Sequence, residues 1–212
     1  MVRYPTDEML TRSRNFYEEM NKRRSVRFFS DEPVALNVIE NVLLTAGTAP
    51  SGAHTEPWFF AVVSNPEVKS SIREIVEEEE QINYAKRMGQ KWLDDLEVIK
   101  TTWRKPYIDT APYVIVVFKQ VYGLKKDGTR IVHYYNEMSS SICVGFLLAA
   151  LQNAGLATVT STPMNAGPRL RQLLGRPVNE KAILLLPVGF PSNDATVPNF
   201  HRKPLEELMV TI

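Results

Sequence analysis

Four groups of residues have types and spacings that can do chemistry. Arg23-Arg24-Ser25-Val26-Arg27 packs arginines around a serine hydroxyl. Guanidinium forks match phosphate geometry, and cations this close repel one another unless an anion joins them. Taken alone, the run is equally a solvated basic turn. Pro50-Ser51-Gly52-Ala53-His54 is a loop of small residues. Its backbone N–H groups can approach a flat ligand closely, or it is an ordinary helix-to-strand connection. Thr158-Val159-Thr160-Ser161-Thr162-Pro163 sets hydroxyls at a strand end, where they can bond the edge of a planar cofactor or face water. Glu80 and Tyr84, four residues apart, share one helix face. A carboxylate such as Glu80 can take an ammonium, and a lysine such as Lys105 can take a carboxylate. Individually these last three read as surface charge or packing.

The surrounding pattern shows what must position them. Met9, Phe16, Tyr17 and Met20 recur at helical spacing through residues 7–22. Ser30-Asp31-Glu32-Pro33 carries helix-start signals, and Val38, Ile39, Val42, Leu43 and Ala46 then share a helical face that Gly47 can stop. Trp58 to Val63 reads as a buried strand, and Pro66 opens a long helix. Residues 85–106 are charged, with Trp92 and Trp103 interleaved, and read as a helical excursion on the surface. Tyr113 to Phe118 is a strong strand and Lys125-Lys126-Asp127-Gly128 a turn. Asn136 to Asn153 is a nearly all-apolar helix, placed centrally. Ala157 to Thr160, Pro168 to Leu174 and Ala182 to Val188 follow as strand, short helix and strand. The expected fold is α+β, a small central sheet packed by long helices. No G-x-G-x-x-G follows a strand, which argues against a dinucleotide-binding fold.

Composition narrows the function. Apolar residues make up 44% of the 212, enough for a core. Lys plus Arg number 25 against 24 Asp plus Glu, so no general nucleic-acid partner is expected. The single cysteine, Cys143, lies in an apolar stretch and reads as a buried thiol rather than a nucleophile. The histidines His54, His133 and His201 show no metal-ligand spacing. No apolar run reaches membrane-spanning length and the start does not read as a signal peptide, so the chain is expected to be soluble as given. It is then either cytoplasmic or the soluble part of an anchored protein.

In order along the chain, Arg23-Arg24-Ser25-Val26-Arg27, Pro50-Ser51-Gly52-Ala53-His54-Thr55-Glu56-Pro57-Trp58 and Arg202-Lys203 resemble the nitroreductase superfamily. The stretch Ala46 to Trp58, Glu77-Glu78-Glu79-Glu80-Gln81-Ile82-Asn83-Tyr84 and Gly167-Pro168-Arg169-Leu170-Arg171 are similar to its iodotyrosine deiodinase branch. The resemblance implies one domain over residues 1–212, with a lid at 78–106 and a C-terminal arm at 192–212. It implies a mostly antiparallel sheet surrounded by helices, in a domain-swapped homodimer with FMN sites at the subunit interface. FMN would be held by Arg23, Arg24, Ser25, Val26, Arg27 and Arg202. Pro50, Ser51 and Gly52 would reach it from the partner, Thr160, Ser161 and Thr162 would line its ring edge, and Thr162 would bond flavin N5. Glu80, Tyr84 and Lys105 would grip the zwitterion of a halogenated tyrosine, and the Ala53 N–H would hold its phenolate. The implied reaction is reductive removal of iodide from mono- and diiodotyrosine, with electrons derived from NADPH through a separate donor. A broad NAD(P)H-dependent nitro or quinone reductase, and a flavin- or halotyrosine-binding protein, are the alternatives.

Overall fold

The computed structural model describes residues 2–212. The sheet is built around β2 (Tyr113–Gln120), whose Val114 to Phe118 are fully excluded from solvent. It pairs antiparallel with β1 (Trp58–Val63) on one side and β6 (Glu180–Gly189) on the other. β5 (Ala157–Thr158) closes the far edge, giving the order β1-β2-β6-β5. Alternation along β2 sends Val114, Val116 and Phe118 to one face and Ile115 and Val117 to the other, so the sheet carries a core on each face.

On the first face lie α3 (Pro66–Ile82), α5 (Tyr107–Thr110) and α7 (Gly167–Leu173). α3 starts where the sequence predicts, because Pro66 takes the first turn and the Asn65 side chain accepts the Val68 N–H at 3.0 Å. On the second face lie α2 (Leu36–Gly47) and α6 (Asn136–Asn153). α6 packs Ser140, Cys143, Leu147 and Leu151 inward but leaves Ile142 and Phe146 exposed, so one chain covers only one side of it. α1 (Thr6–Lys22) buries no residue at all. α4 (Gln90–Val98) likewise buries none and sits in the charged excursion. A hairpin, β3 (Tyr122–Leu124) with β4 (Arg130–Val132), flanks the expected turn.

Two local expectations shift, each for a tertiary reason. The helix signals at Ser30–Pro33 do not cap a helix; α2 begins at Leu36 without a side-chain cap. Residues Phe29 and Ser30 are instead drawn to the sheet, with Phe29 bridging Pro191 and the Ser30 N–H donating to Phe190 O at 3.0 Å. The strand expected at 157–160 is regular only to Thr158. Its register continues to a bridge between Ser161 and Leu185, and the gap falls opposite Pro187, which has no N–H to donate.

The start of β6 is held by a buried charge. The Glu180 side chain is 1% exposed and accepts from Arg176 Nε at 2.8 Å and Arg176 Nη2 at 2.9 Å. Arg176→Met leaves that buried carboxylate with only the Gln120 Nε2 donor, at 3.3 Å, and is expected to cost about 3 kcal/mol in urea unfolding. The double variant with Glu180→Met should recover much of the loss; a single variant as stable as the native chain would show the pair to be dispensable.

Candidate functional site

The basic segment is fixed by a sheet edge. Ser25 forms a parallel bridge to Thr158, and the Val26 N–H donates to Thr158 O at 3.1 Å. Val26 itself is buried in the core, so its side chain and its N–H are both committed to structure. It orients its neighbours and does not itself line the cavity that they form. Arg23, Arg24, Ser25 and Arg27 instead line a cavity of ≈ 670 Å³, closed on its other side by Val197, Phe200 and Arg202.

Arg202 reaches back from the C-terminal segment, donating from Nε to Asn21 Oδ1 and from Nη2 to Arg23 O, each at 2.9 Å. Arg24 donates to Pro198 O. The guanidinium groups of Arg23 and Arg27 donate to no group among the described residues. Burial, and then the charges of Arg202 and Arg24, pull the Arg23 pKa below its ordinary value. An anion in the cavity would remove that repulsion and supply acceptors to both free forks. The donor set therefore fits a phosphate group.

A second cluster forms where the excursion leaves and rejoins the fold. α3 ends at Ile82 in a π-helical turn over Asn83–Arg87, which turns Tyr84 back toward Lys105. Lys105 Nζ lies 3.6 Å from Glu80 Oε2, with the two side chains only 7% and 16% exposed. It also donates to Thr102 O at 2.6 Å and sits 5.9 Å from the Tyr84 ring centre. Tyr84 packs edge-on against Trp92 with ring centres 4.9 Å apart. Burial, with the Glu80 charge, pushes the Tyr84 phenol up to about 12, so it stays a neutral donor. Burial lowers the Lys105 pKa, and Glu80 acts against that shift. The result is a sheltered pair of opposite charges, which suits a ligand carrying both an ammonium and a carboxylate.

Arg27 joins the two regions. It lines the basic cavity and also an adjoining one of ≈ 580 Å³ bounded by Thr101, Thr102, Arg104 and Tyr107. The hydroxyl-bearing loop lines neither cavity in the single chain. Ser161 spends its backbone on the ladder with Leu185, leaving Thr160 and Thr162 exposed. Just beyond, Met164 Sδ meets Asn83 Nδ2 at 3.9 Å. Asn83 is a member of the site that spacing alone does not single out. It is buried and donates to Glu80 Oε1 at 3.1 Å, and its only sequence signal is a polar residue three positions after Glu80.

The Pro50–Ala53 loop lies elsewhere. The Gly52 N–H donates to Ser139 Oγ at 3.3 Å, and the Glu56 N–H donates to Ser51 Oγ at 3.0 Å. Ala53, His54 and Glu56 all have left-handed backbones, with φ of 52°, 54° and 45°. Gly52 is required here because a Cβ would stand 2.7 Å from Tyr134 O. The Ala53 N–H donates to no group among the described residues. The loop lines neither cavity, so a single chain does not bring it to the arginines.

A sequence profile of the nitroreductase family matches residues 20–190. The chain belongs to the nitroreductase family. Among its relatives, iodotyrosine deiodinase of Nematostella vectensis is 66% identical over 207 residues, covering 97% of this chain and 78% of that one. Human iodotyrosine deiodinase 1 is 63% identical over 209 residues, covering 99% and 72%. A crystal structure of oxidised iodotyrosine deiodinase bound to FMN and 3-iodo-L-tyrosine superposes with a TM-score of 0.76 at 32% identity, covering 89% of this chain and 95% of that one. This nitroreductase-family chain has no helix among its described residues that is long and apolar enough to cross a membrane.

The buried lysine makes a pH prediction. Because the folded-state pKa of Lys105 is lowered from its ordinary 10.5, the unfolded chain binds more protons between the lowered value and 10.5. Stability from this group therefore rises with pH across that window. In urea titrations the native chain should gain stability relative to Lys105→Met as pH is raised from neutrality toward 10.5. An unchanged difference would place Lys105 in water.

Proposed function

We propose that this chain is an FMN-dependent oxidoreductase that removes iodide reductively from mono- and diiodotyrosine, yielding tyrosine. The observation that carries this reading is the sheltered Glu80–Lys105 pair, 3.6 Å apart beside Tyr84, in a chain 66% and 63% identical to named iodotyrosine deiodinases. A reductase of simple nitro compounds or quinones has no use for opposed charges at that position.

Reduced FMN supplies two electrons for each carbon–iodine bond, and the ring carbon takes up a proton as iodide leaves. The residues of the chain bind and orient. Arg23 and Arg27, with Arg24, Ser25 and Arg202 around the same cavity, hold the FMN phosphate and ribityl chain. Thr160, Ser161 and Thr162 would offer hydroxyls to the ring edge, with Thr162 the donor to flavin N5. Glu80 accepts from the substrate ammonium, while Lys105 and the neutral Tyr84 phenol donate to its carboxylate. The free Ala53 N–H donates to the phenol oxygen and favours its ionised form, which eases protonation of the ring carbon. Residues 78–106 act as a lid that excludes water; α4 within it buries no residue against the body.

The working unit is a homodimer. Pro50–Ala53 sits apart from the arginines in one chain, so a second copy supplies it. Ile142 and Phe146, with Phe16, line an apolar cavity of ≈ 820 Å³ on the uncovered side of α6, and residues 192–212 end in the exposed Leu205, Leu208, Met209 and Val210. Residues 1–212 act as one domain. Electrons derived from NADPH reach the flavin through a separate donor.

The deciding experiment loads the protein with FMN, reduces it with dithionite and measures iodide released from diiodotyrosine. Stoichiometric iodide is expected; flavin-loaded protein that releases none sinks the proposal. Glu80→Gln should lower kcat/KM for diiodotyrosine by about tenfold or more, the scale of one charge-assisted hydrogen bond. Separately, Arg23→Gln should weaken FMN binding about tenfold or more while leaving riboflavin binding unchanged, as read by flavin fluorescence titration. Equal loss of both flavins would remove Arg23 from the phosphate site.

A further inference from the structure

α3 presents a stripe of charged residues that the reaction above does not use. Lys69, Arg73 and Glu77 repeat every four residues below Glu80, so they share its face. All of them engage the short segment 105–111. Lys69 is buried and donates to Asp109 O at 2.9 Å and Ala111 O at 2.8 Å, capping the end of α5. Arg73 Nη1 donates to Asp109 Oδ2 at 2.7 Å, and Arg73 Nε donates to Glu77 Oε1 at 2.8 Å. Glu77 Oε1 accepts the backbone N–H of Lys105 at 2.5 Å. Lys69 thus meets two carbonyls of the returning chain, and Arg73 and Glu77 meet one group each. The end of the stripe is Glu80, which faces the Lys105 ammonium.

The geometry has a direct consequence for Lys105. Its long side chain can place the ammonium beside Glu80 only if its backbone is fixed where the excursion rejoins the fold. Pro106 follows it and has no N–H with which to help. Glu77 is the side chain that holds this backbone, and Arg73, itself held by Asp109, holds Glu77.

We propose that Arg73, Glu77 and Asp109 form a positioning relay that fixes the Lys105 backbone and thereby sets the preference for substrates with an amino-acid arm. This rests on the assignment of Lys105 to the substrate carboxylate. The relay touches neither flavin nor substrate, so it acts on one end of the substrate and not on the carbon–iodine bond.

The test compares diiodotyrosine with 2-iodophenol, which lacks the arm, on FMN-loaded protein. Glu77→Leu removes the acceptor and should lower the ratio of kcat/KM values by about tenfold. The loss should lie in KM for diiodotyrosine, with 2-iodophenol unaffected. Glu77→Gln keeps a carbonyl oxygen for the Lys105 N–H and should recover most of the ratio. Amide hydrogen exchange at Lys105 should accelerate in Glu77→Leu and not in Glu77→Gln. Equal losses on both substrates, or none on either, overturn the relay. Lys105→Gln separates the two ideas. If it collapses the ratio and Glu77→Leu does not, the substrate assignment stands and the relay fails. If it leaves the ratio unchanged, the assignment fails and takes the relay with it. Should Glu77→Leu not yield loaded protein, Asp109→Ala, which removes the acceptor of Arg73 Nη1 at the far end of the relay, decides by the same ratio.

Discussion

The hydrogen bond from the Val26 N–H to Thr158 O is the constraint on which the rest of the site depends. β5 is an edge strand, and an edge offers unpaired backbone groups. Here the edge is taken by the arginine segment. Burial of Val26 pins the segment, and alternation then turns Ser25 and Arg27 to the side away from the core. Without that anchor, mutually repelling guanidinium groups would spread into solvent. Burial first, and then the charges of Arg202 and Arg24, lower the pKa of Arg23, and a bound phosphate would offset both.

Opposite this rigid element stands one held far more lightly. Within the excursion from Asn83 to Arg104, Tyr84 packs on Trp92 and donates from its hydroxyl to Thr101 O at 3.4 Å, while Arg87 pairs with Glu79 of α3 near where the excursion leaves the body. Its attachment to the body is concentrated at its two ends. Segments with little buried apolar surface open at low free-energy cost, whereas the charged stripe of α3 secures the point of return. A loosely held cover on firmly held hinges can admit a ligand without disturbing the flavin-binding side.

Much of this was legible in the sequence, for identifiable reasons. Helix α6 matches its expected span from Asn136 to Asn153, because an apolar run of that length bounded by Gly155 has few other solutions. β1 likewise runs from Trp58 to Val63 as read. What could not be read depended on partners distant in sequence. The Ser30–Pro33 cap signals lost to pairing with Phe190, and the strand after Thr158 lapsed because of Pro187. Among site residues, Glu80, Tyr84 and Lys105 were found through family likeness and do converge. Val26 packs into the core between the arginines that flank it. Asn83 and Glu77 went unseen because an acidic helix surface looks the same in sequence whether it meets water or a returning chain.

The Glu80–Lys105 pair has one more consequence. Without a ligand the two charges satisfy each other in a place largely closed to solvent, so a ligand must enter by exchange, giving each group a new counterpart in the same event. A molecule with both charges completes the exchange. An amine alone, or an acid alone, would free one group only by leaving the other stranded where water cannot compensate it, at a penalty of several kcal/mol. On the proposed function, half-matched ligands are rejected thermodynamically, without a steric barrier. An uncharged phenol leaves the pair closed.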